Sequence, residues 1–409
     1  MFESESVWEL SSAGTVAFGE GAATELPAHL RERDAESVML VTDPGVRDAG
    51  VVDHLLDALA DHAVHVFDEV TPDPALPVFE AAVERARDLD PDALVAVGGG
   101  SSIDVAKTTG VVAAHGGDIL DYVAQPTGEG KPVPGPGITT VAVPTTSGTG
   151  SETTPVSVVS LPDWNLKVGV SSRHLYPDVA VVDPLLTVSL PAAPTAASGM
   201  DALAHAVEAY TTRRFDAKAR ADPPESRPDY GGRTPLTDAL ARVAIPRIGD
   251  NLRRAVDNGE DLAARREMAL ASHTAGLAFS NAGLGAAHAV AMAAGAEHHT
   301  PHGETVAAVL PAVMRHNAPS APERYRDVAR WLGRDVSGMD DAQAATAAAD
   351  AVADLAADVG VPDGLEALGV APDEVPDLAA KTMNLERLLV GNPRRLDEED
   401  VTDICRDAL

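Results

Sequence analysis

The chain has 409 residues, of which 45% are hydrophobic and 23% are charged, so it is long enough to bury a large core and is not intrinsically disordered. Its 63 acidic residues outnumber its 31 basic residues, and the formal net charge of −32 opposes binding to nucleic acids or to anionic membranes. Because the acidic residues are spread along the chain rather than gathered in a tail, the composition favours a halophilic protein over an acidic mesophilic one.

The single cysteine, Cys405, excludes a disulfide or a cysteine metal cluster within one chain, which fits a reducing compartment. The first residues, MFESESVWELSSAG, are acidic and lack the apolar segment of a secretory signal peptide. We therefore expect a cytoplasmic protein, and we expect it to assemble as a homodimer.

The first part of the chain alternates short β-branched runs with helical patterns. A helix is indicated within residues 49–61, and a second at Pro77–Asp90, where a proline occupies the first turn. Strands that alternate with helices over short connections are typical of a parallel α/β sheet. The predicted strands are Ser37–Asp43, His62–Val70, Asp92–Gly100, Ile138–Thr146 and Val179–Pro184.

After about Pro191 the pattern changes, because alanine-rich helical segments dominate to the end of the chain. We place the domain boundary near Ser189–Pro194, so that residues 1–190 form an α/β domain and residues 191–409 an all-α domain. The segment Arg213–Asp238 is rich in Pro, Gly and charge and predicts an irregular surface loop. Asp397 precedes an acidic turn and is a candidate N-cap for a final helix.

The stretch Met268–His302 has no charged residue between Glu267 and Glu297. Its length suffices for a membrane span, but polar side chains and two glycines interrupt it. Two buried helices joined near Asn281–Gly285 and lining a site are the better interpretation. The stretch carries five of the thirteen histidines, which are His273, His288, His298, His299 and His302.

Two loops that follow predicted strands are candidates for binding a nucleotide. The first opens a helix, whose free N–H groups and positive dipole end suit a phosphate, although a tight structural turn has the same sequence. The second offers hydroxyls and glycines, and loops at the ends of neighbouring parallel strands favour a cofactor crevice. The first loop comprises Gly98, Gly99, Gly100, Ser101 and Ser102 with Asp104 and Lys107 beyond it, and the second begins with Thr145, Thr146 and Ser147.

Asp43 ends the first clear strand, and two interpretations remain open for it. Its carboxylate can accept hydrogen bonds from an adenosine ribose and would repel a 2′-phosphate, which favours NAD over NADP. Alternatively, it is a turn-forming residue before Pro44 and Gly45.

Asp201 and His205 are four residues apart in a helical pattern, so they project from one helix face and can chelate a divalent metal ion. An N-terminal Asp cap with a packed histidine is the alternative. Together with His288 and His302 they make a four-ligand N/O set suited to Fe²⁺ or Zn²⁺.

Four motifs in order, GGGSSIDVAK, PTTSGTGSE, GMDALAHAVEAY and GLGAAHAV with PHG, make the chain resemble the iron-containing (group III) alcohol dehydrogenase family from Gly14 to about Val401. The resemblance implies an N-terminal Rossmann-like α/β domain, a helical metal-binding domain and an active site in the cleft between them, the architecture also found in dehydroquinate synthase. It assigns the metal and the catalytic centre to Asp201, His205, His288 and His302, and the cofactor to Asp43, Gly98–Ser102, Thr145–Ser147 and Lys167.

The chain departs from the family pattern at two positions. Many members have a second histidine four residues after the third ligand, thought to relay the hydroxyl proton, where this chain has Met292. The asparagine of a PNP-type turn is replaced by Asp73. The insertion after Tyr210 resembles the hydroxyacid–oxoacid transhydrogenase branch.

We therefore predict a metal-dependent, NAD(P)-linked alcohol dehydrogenase or carbonyl reductase, in which hydride passes between the nicotinamide and the carbinol carbon of a small substrate whose oxygen the metal binds. The alternative is a transhydrogenase of the 4-hydroxybutyrate/2-oxoglutarate type with a retained cofactor. A dehydroquinate synthase-like or glycerol-1-phosphate dehydrogenase activity fits the motifs less well. A non-catalytic binding protein would not need four metal ligands.

Overall fold

The computed structural model describes residues 7–164, 166–217 and 227–409. The chain divides into two compact units: Ser12–Leu190 forms an α/β unit, and Pro191–Leu409 together with the segment up to Ser11 forms a helical unit. Residues 218–226, within the predicted loop Arg213–Asp238, lie outside the described residues.

The α/β unit is built from alternating strands and helices. Its strands are β1 (Thr15–Phe18), β2 (Ser37–Val41), β3 (Ala63–Phe67), β4 (Ala93–Gly98), β5 (Thr139–Pro144), β6 (Val156–Leu161), β7 (Leu166–Ser171) and β8 (Val179–Val182). Its α-helices are α1 (Leu26–Arg31), α2 (Pro44–Asp48), α3 (Val51–Ala58), α4 (Leu76–Leu89), α5 (Gly100–His115) and α6 (Ile119–Tyr122).

Six of these strands form one sheet in the order β1-β8-β5-β4-β2-β3, and all of its paired strands are parallel. Side chains alternate between the two faces. Met39 and Val41 pack with α4 and α5, whereas Val38 and Leu40 pack with α1 and α3. From β2 the chain adds β3 on one side of the sheet and then β4 on the other, so the direction in which strands are added reverses between β2 and β4. Open α/β sheets bind ligands at such a point.

The predicted parallel α/β sheet is confirmed, and the strands differ from the prediction mainly at their ends. The first ends at Val41 rather than Asp43, because Asp43 caps α2 by accepting a hydrogen bond from the amide of Val46 (3.0 Å). Sequence analysis missed the short edge strand β1 and the antiparallel hairpin of β6 and β7. The strand β1 is mostly exposed, and serine, lysine or glycine interrupts the apolar residues of β6 and β7, so neither element shows the continuous apolar run of the central strands.

The helical unit packs its helices around one large apolar cluster rich in alanine and valine. The predicted loop extended too far, since Thr234 caps α8 and the helix begins at Pro235. The predicted N-cap is confirmed, because the carboxylate of Asp397 accepts a hydrogen bond from the amide of Asp400 (2.9 Å). The helices are α7 (Ala192–Thr211), α8 (Pro235–Asp257), α9 (Leu262–Ala282), α10 (Ala286–His298), α11 (His302–Asn317), α12 (Pro322–Trp331), α13 (Asp341–Asp358), α14 (Val375–Met383), α15 (Glu386–Leu389) and α16 (Glu398–Asp407).

The uncharged stretch forms α9, α10 and the start of α11, and its two first helices meet at Gly283–Gly285 as predicted. Within the described residues, no single helix is long and apolar enough to cross a membrane. Helices α9 and α10 reach the required length and hydrophobicity only when taken together, and the pair is bent by 97° at the break between them. Most of their side chains are buried within the unit.

Candidate functional site

Helix α7 places two predicted metal ligands on one buried face. Asp201 and His205 are separated by one helical turn, and both side chains are at most 5% exposed. The helix can run this deep because its neighbouring residues are mostly alanine, which fills little space against α8 and α9. The local spacing read from the sequence is thus realised as a paired carboxylate and imidazole in the interior.

The three predicted histidines converge on one oxygen of Asp201. Their Nε2 atoms lie 3.7 Å (His205), 3.4 Å (His288) and 3.7 Å (His302) from Oδ1 of Asp201. Ligands about 2.0–2.1 Å from a tetrahedral ion lie about 3.4 Å from one another. The observed spacing is therefore that of donors around one ion rather than that of hydrogen-bonded partners.

Within this group, Asp201, His288 and His302 form the tighter set, with ligand atoms within 4.8 Å of one another. His205 lies beside them, and its ring is stacked between Phe279 (centroids 4.1 Å apart) and His288 (4.6 Å). This stacking orients the His205 ring. Because its Nε2 atom lies 3.7 Å from Oδ1 of Asp201, all four predicted ligands are close together.

Two atoms at the centre of this site are buried without a hydrogen-bond partner among the described residues, namely Oδ1 of Asp201 and Nε2 of His288. Buried polar atoms in native proteins are nearly always paired, so these two indicate a missing partner such as a cation. Burial alone would raise the pKa of Asp201, but the charges of His205, His302 and His288 hold it well below its usual value. The donor set fits a divalent metal ion.

Glu208, which sequence analysis did not single out, supports His288 from the opposite side. Its carboxylate accepts a hydrogen bond from Nδ1 of His288 (2.6 Å) and others from the amides of Gly285 (3.0 Å) and Ala287 (2.8 Å). Burial lowers the pKa of His288, but the charges of Glu208 and Asp201 and the hydrogen bonds to these two carboxylates together raise it to about 9. The available signal was spacing: Glu208 lies two turns after Asp201 on the same face.

Two glycines allow the helices to approach this closely. A β-carbon on Gly285 would lie 3.0 Å from both Oε1 of Glu208 and Oδ1 of Asn392. A β-carbon on Gly303 would lie 2.3 Å from the carbonyl oxygen of Ala197. Gly303 therefore lets the first turn of α11, which begins at His302, pack against the backbone of α7.

In the α/β unit, Asp43 and the glycine-rich loop meet at the reversal of strand order. Oδ2 of Asp43 lies 3.5 Å from Oγ of Ser102, and a β-carbon on Gly98 would lie 3.2 Å from the same carboxylate oxygen. Gly99 precedes α5, whose first residues are Gly100 and Ser101. Both interpretations of Asp43 are compatible with this placement, since one oxygen caps α2 while the other faces the loop.

The second loop lies directly beside the first, because β4 and β5 are neighbours with Gly98 opposite Pro144. The amide of Thr145 donates to the carbonyl of Gly98 (3.0 Å), and β-carbons on Gly99 or Gly100 would contact the side chains of Thr146 and Thr149. Thr145 and Ser147 are buried, whereas Thr146 is partly exposed. The two predicted loops thus lie side by side at the carboxyl ends of β4 and β5.

Two further predicted cofactor residues, Asp104 and Lys167, form hydrogen bonds or ion pairs with other protein groups. Asp104 accepts hydrogen bonds from Oγ of Ser151 (2.5 Å) and the amide of Val158 (2.9 Å) and pairs with the buried Lys107 (3.1 Å). Lys167 forms an ion pair with Asp73 (2.8 Å) and is mostly buried.

Lys107 itself is fully buried, and its ammonium group donates to oxygens of Ser151, Thr154 and Val156. Burial lowers its pKa, and the charge of Asp104 opposes that shift. These contacts fasten the segment that follows the second loop to α5.

The remaining histidines of the uncharged stretch are not among the described side chains that group with Asp201. His273 is buried within α9, His298 ends α10 with Nε2 3.8 Å from a carboxylate oxygen of Glu374, and His299 is exposed. Met292 packs against an apolar cluster that includes Phe279 and Tyr230.

Comparisons with known proteins identify the family to which the chain is similar. A family model described as iron-containing alcohol dehydrogenase matches residues 13–184, and one described as the C-terminal part of the Fe-containing alcohol dehydrogenase family matches residues 231–409.

Similar proteins cover nearly the whole chain. Long-chain-alcohol dehydrogenase 1 of Geobacillus thermodenitrificans is 38% identical over 95% of this chain and 94% of its own. The mitochondrial hydroxyacid–oxoacid transhydrogenase of Mus musculus is 36% identical over 96% of this chain and 88% of its own. The crystal structure of a 1,3-propanediol oxidoreductase superposes with a TM-score of 0.90 at 36% identity, covering 99% of this chain and 100% of the other.

Proposed function

The chain belongs to the iron-containing alcohol dehydrogenase family and is an oxidoreductase, and we propose that it interconverts a small alcohol or hydroxyacid and the matching carbonyl compound, with NAD as the hydride carrier. The observation that carries this proposal is the convergence of three imidazole Nε2 atoms on Oδ1 of Asp201 at 3.4–3.7 Å.

Asp201, His205, His288 and His302 are the proposed ligands of a divalent metal ion. Three imidazoles and one carboxylate suit both Fe²⁺ and Zn²⁺, and family membership favours Fe²⁺. When bound, such an ion supplies Lewis acidity, which stabilises negative charge on a substrate oxygen. The chain's own contribution is to hold the four donors in place and to bury Asp201, His205 and His288 among mostly uncharged side chains of α9 and α10, where electrostatic interactions are stronger than in water.

The proposed cofactor site lies at the paired loops of the α/β unit. The N-terminus of α5 offers backbone amides and a positive dipole end to a pyrophosphate, and Gly98–Gly100 allow its close approach. Asp43 is positioned to accept a hydrogen bond from a ribose hydroxyl, which favours NAD. A bound nicotinamide supplies the hydride acceptor or donor. We propose that Thr145, Thr146 and Ser147 line this site, that Asp104 supports the second loop, and that Lys167 acts with Asp73.

Metal analysis of the purified protein, combined with oxidation of short alcohols and 4-hydroxybutyrate in added NAD, tests the proposal. We expect about one metal ion per chain, and NAD-dependent turnover that chelation removes and Fe²⁺ or Zn²⁺ restores. A protein that carries no metal at this site, or keeps full turnover after complete chelation, contradicts it.

A hydroxyacid–oxoacid transhydrogenase is the second candidate function. Met292 favours it, because this thioether lies in an apolar cluster and cannot relay a proton to solvent. A transhydrogenase retains its cofactor and passes hydride from one organic substrate to another. The absorbance spectrum of the purified protein shows whether nicotinamide is retained, and hydroxyacid/oxoacid pairs without added NAD show whether it turns over. A cofactor-free protein that depends on added NAD excludes this candidate.

The acidic composition also supports a proposal about the setting in which the enzyme works. A net charge of −32 is tolerated best where salt screens it, so we propose a salt-rich cytoplasm. The homodimer expected from the sequence stays a prediction, which sedimentation in high salt would test.

A further inference from the structure

We propose that Glu208 is a positioning residue that selects the imidazole tautomer of His288, so that the lone pair of Nε2 faces Oδ1 of Asp201. The inference deepens the proposed metal site and rests on it for its functional meaning. Its structural part, the position of one proton, stands on the contacts of Glu208 alone.

The carboxylate of Glu208 accepts three hydrogen bonds from the residues around it. Its Oε2 atom accepts from Nδ1 of His288 (2.6 Å) and from the amide of Gly285 (3.0 Å), while Oε1 accepts from the amide of Ala287 (2.8 Å). Glu208 is 5% exposed, so water does not compete for these bonds. An acceptor held by two amides cannot turn away from the imidazole, and the Nδ1 proton is held in turn.

The side chain of Glu208 faces the N-terminal end of α10, which explains why a carboxylate is retained in an apolar interior. Gly285 and Ala287 contribute the first amides of α10, a thirteen-residue helix whose positive dipole end stabilises an anion. Gly285 lacks a β-carbon, which would lie 3.0 Å from Oε1 of Glu208. The same carboxylate therefore accepts hydrogen bonds from the first amides of α10 and orients His288, the third residue of that helix.

His288 lies between two carboxylates, and their distances decide which nitrogen carries the proton. Glu208 is 2.6 Å from Nδ1, a strong hydrogen bond, whereas Asp201 is 3.4 Å from Nε2. A neutral imidazole donates from one nitrogen only. The closer acceptor keeps the Nδ1 proton, and Nε2 is left with the lone pair that a metal ion requires.

Replacing Glu208 by Gln tests the tautomer directly. Glutamine keeps the shape but removes the charge, which weakens the acceptor at Nδ1 and leaves Asp201 as the only carboxylate facing the ring, so we expect the proton to move to Nε2. We expect ¹⁵N spectra of metal-free protein with labelled histidine, recorded over a pH series and read at its alkaline limit, to show the Nδ1–H form in the parent and the Nε2–H form in E208Q. His288→Ala assigns the signal. The same Nδ1–H form in both proteins overturns the proposal.

Metal affinity supplies the second readout. We expect E208Q to bind Zn²⁺ about 10–100-fold more weakly, as is typical when the partner of a metal-bound histidine is lost. Glu208→Asp keeps the charge and should keep the Nδ1–H form and part of the affinity. If E208Q does not fold, the parent spectrum still decides, because an Nε2–H form there overturns the proposal. Glu267→Gln, which removes a half-exposed carboxylate paired with Arg247, is the matched control and should bind like the parent.

The two proposals fail in different ways. A parent protein that binds no metal contradicts the proposed function, while the ¹⁵N spectra still decide whether Glu208 sets the tautomer. A parent that binds metal, with E208Q binding equally well, overturns the inference and leaves the metal site intact. Weaker binding by E208Q with an unchanged tautomer also overturns it, because Glu208 then acts only by supporting the fold.

Discussion

The α-carbon of Gly303 lies against the carbonyl of Ala197 so closely that a β-carbon would be 2.3 Å from that oxygen. The contact joins the first turn of α11 to the first half of α7, and it brings His302 to 3.7 Å from Oδ1 of Asp201. One absent methyl group therefore determines how near the fourth proposed ligand lies to the other three.

Gly303→Ala should weaken both folding and metal binding. Alanine is the better helix former, but the obstructing atom is backbone and cannot rotate away, so overpacking should cost about 1–3 kcal/mol in the free energy of unfolding. Denaturant unfolding and a Zn²⁺ titration measure the two effects. Gly231→Ala is the control, since its β-carbon would meet only Asn281 at 3.5 Å. Equal stability and affinity in both variants would contradict the packing argument.

Asp201→Asn should abolish tight metal binding without unfolding the protein. Asparagine has the same shape but no charge, and the three imidazoles then lose the anion on which they converge. We expect affinity to fall by more than the roughly 10–100-fold typical of residues that only support a ligand. Metal content after dialysis is the measurement, with the exposed Asp250→Asn as control. Parent-like metal content in D201N would remove Asp201 from the ligand set.

Asp43→Ser should shift cofactor preference toward NADP. Serine is also a good N-cap, so α2 keeps its cap, while the charge that would repel a 2′-phosphate is removed. If that repulsion is roughly 1.4 kcal/mol, the ratio of kcat/KM for NADP over NAD rises about tenfold. Kinetics with both cofactors measure it, and Asp48→Ser, on the same helix, is the control. An unchanged ratio would favour the interpretation of Asp43 as a capping residue only.

Added KCl should stabilise the protein. The net charge of −32 repels itself, and the screening length falls from about 8 Å at 0.15 M to about 3 Å at 1 M salt. We therefore expect the Tm to rise between these concentrations and to rise similarly in tetramethylammonium chloride, which screens without sharing the chemistry of K⁺. A Tm that is flat or falls would show that the acidic surface does not limit stability.

Much of the fold could be predicted from local patterns. Central strands such as β4 are continuous apolar runs, and α4 begins at a proline, so their residues carry the signal themselves. The edge strand β1 escaped because it has only four residues and is mostly exposed, and β6 and β7 escaped because serine, lysine or glycine interrupts their apolar residues.

The sequence by itself determined the α/β-then-helical order, the two glycine and threonine loops, and the pairing of Asp201 with His205, because each depends on neighbours within one or two turns. Only the tertiary structure decided that Glu208 is hydrogen-bonded to His288, that Asp104 accepts a hydrogen bond from Ser151 and that Lys167 forms an ion pair with Asp73. These contacts join distant segments, and which of many carboxylates meets a given base depends on helix packing that residue spacing does not encode.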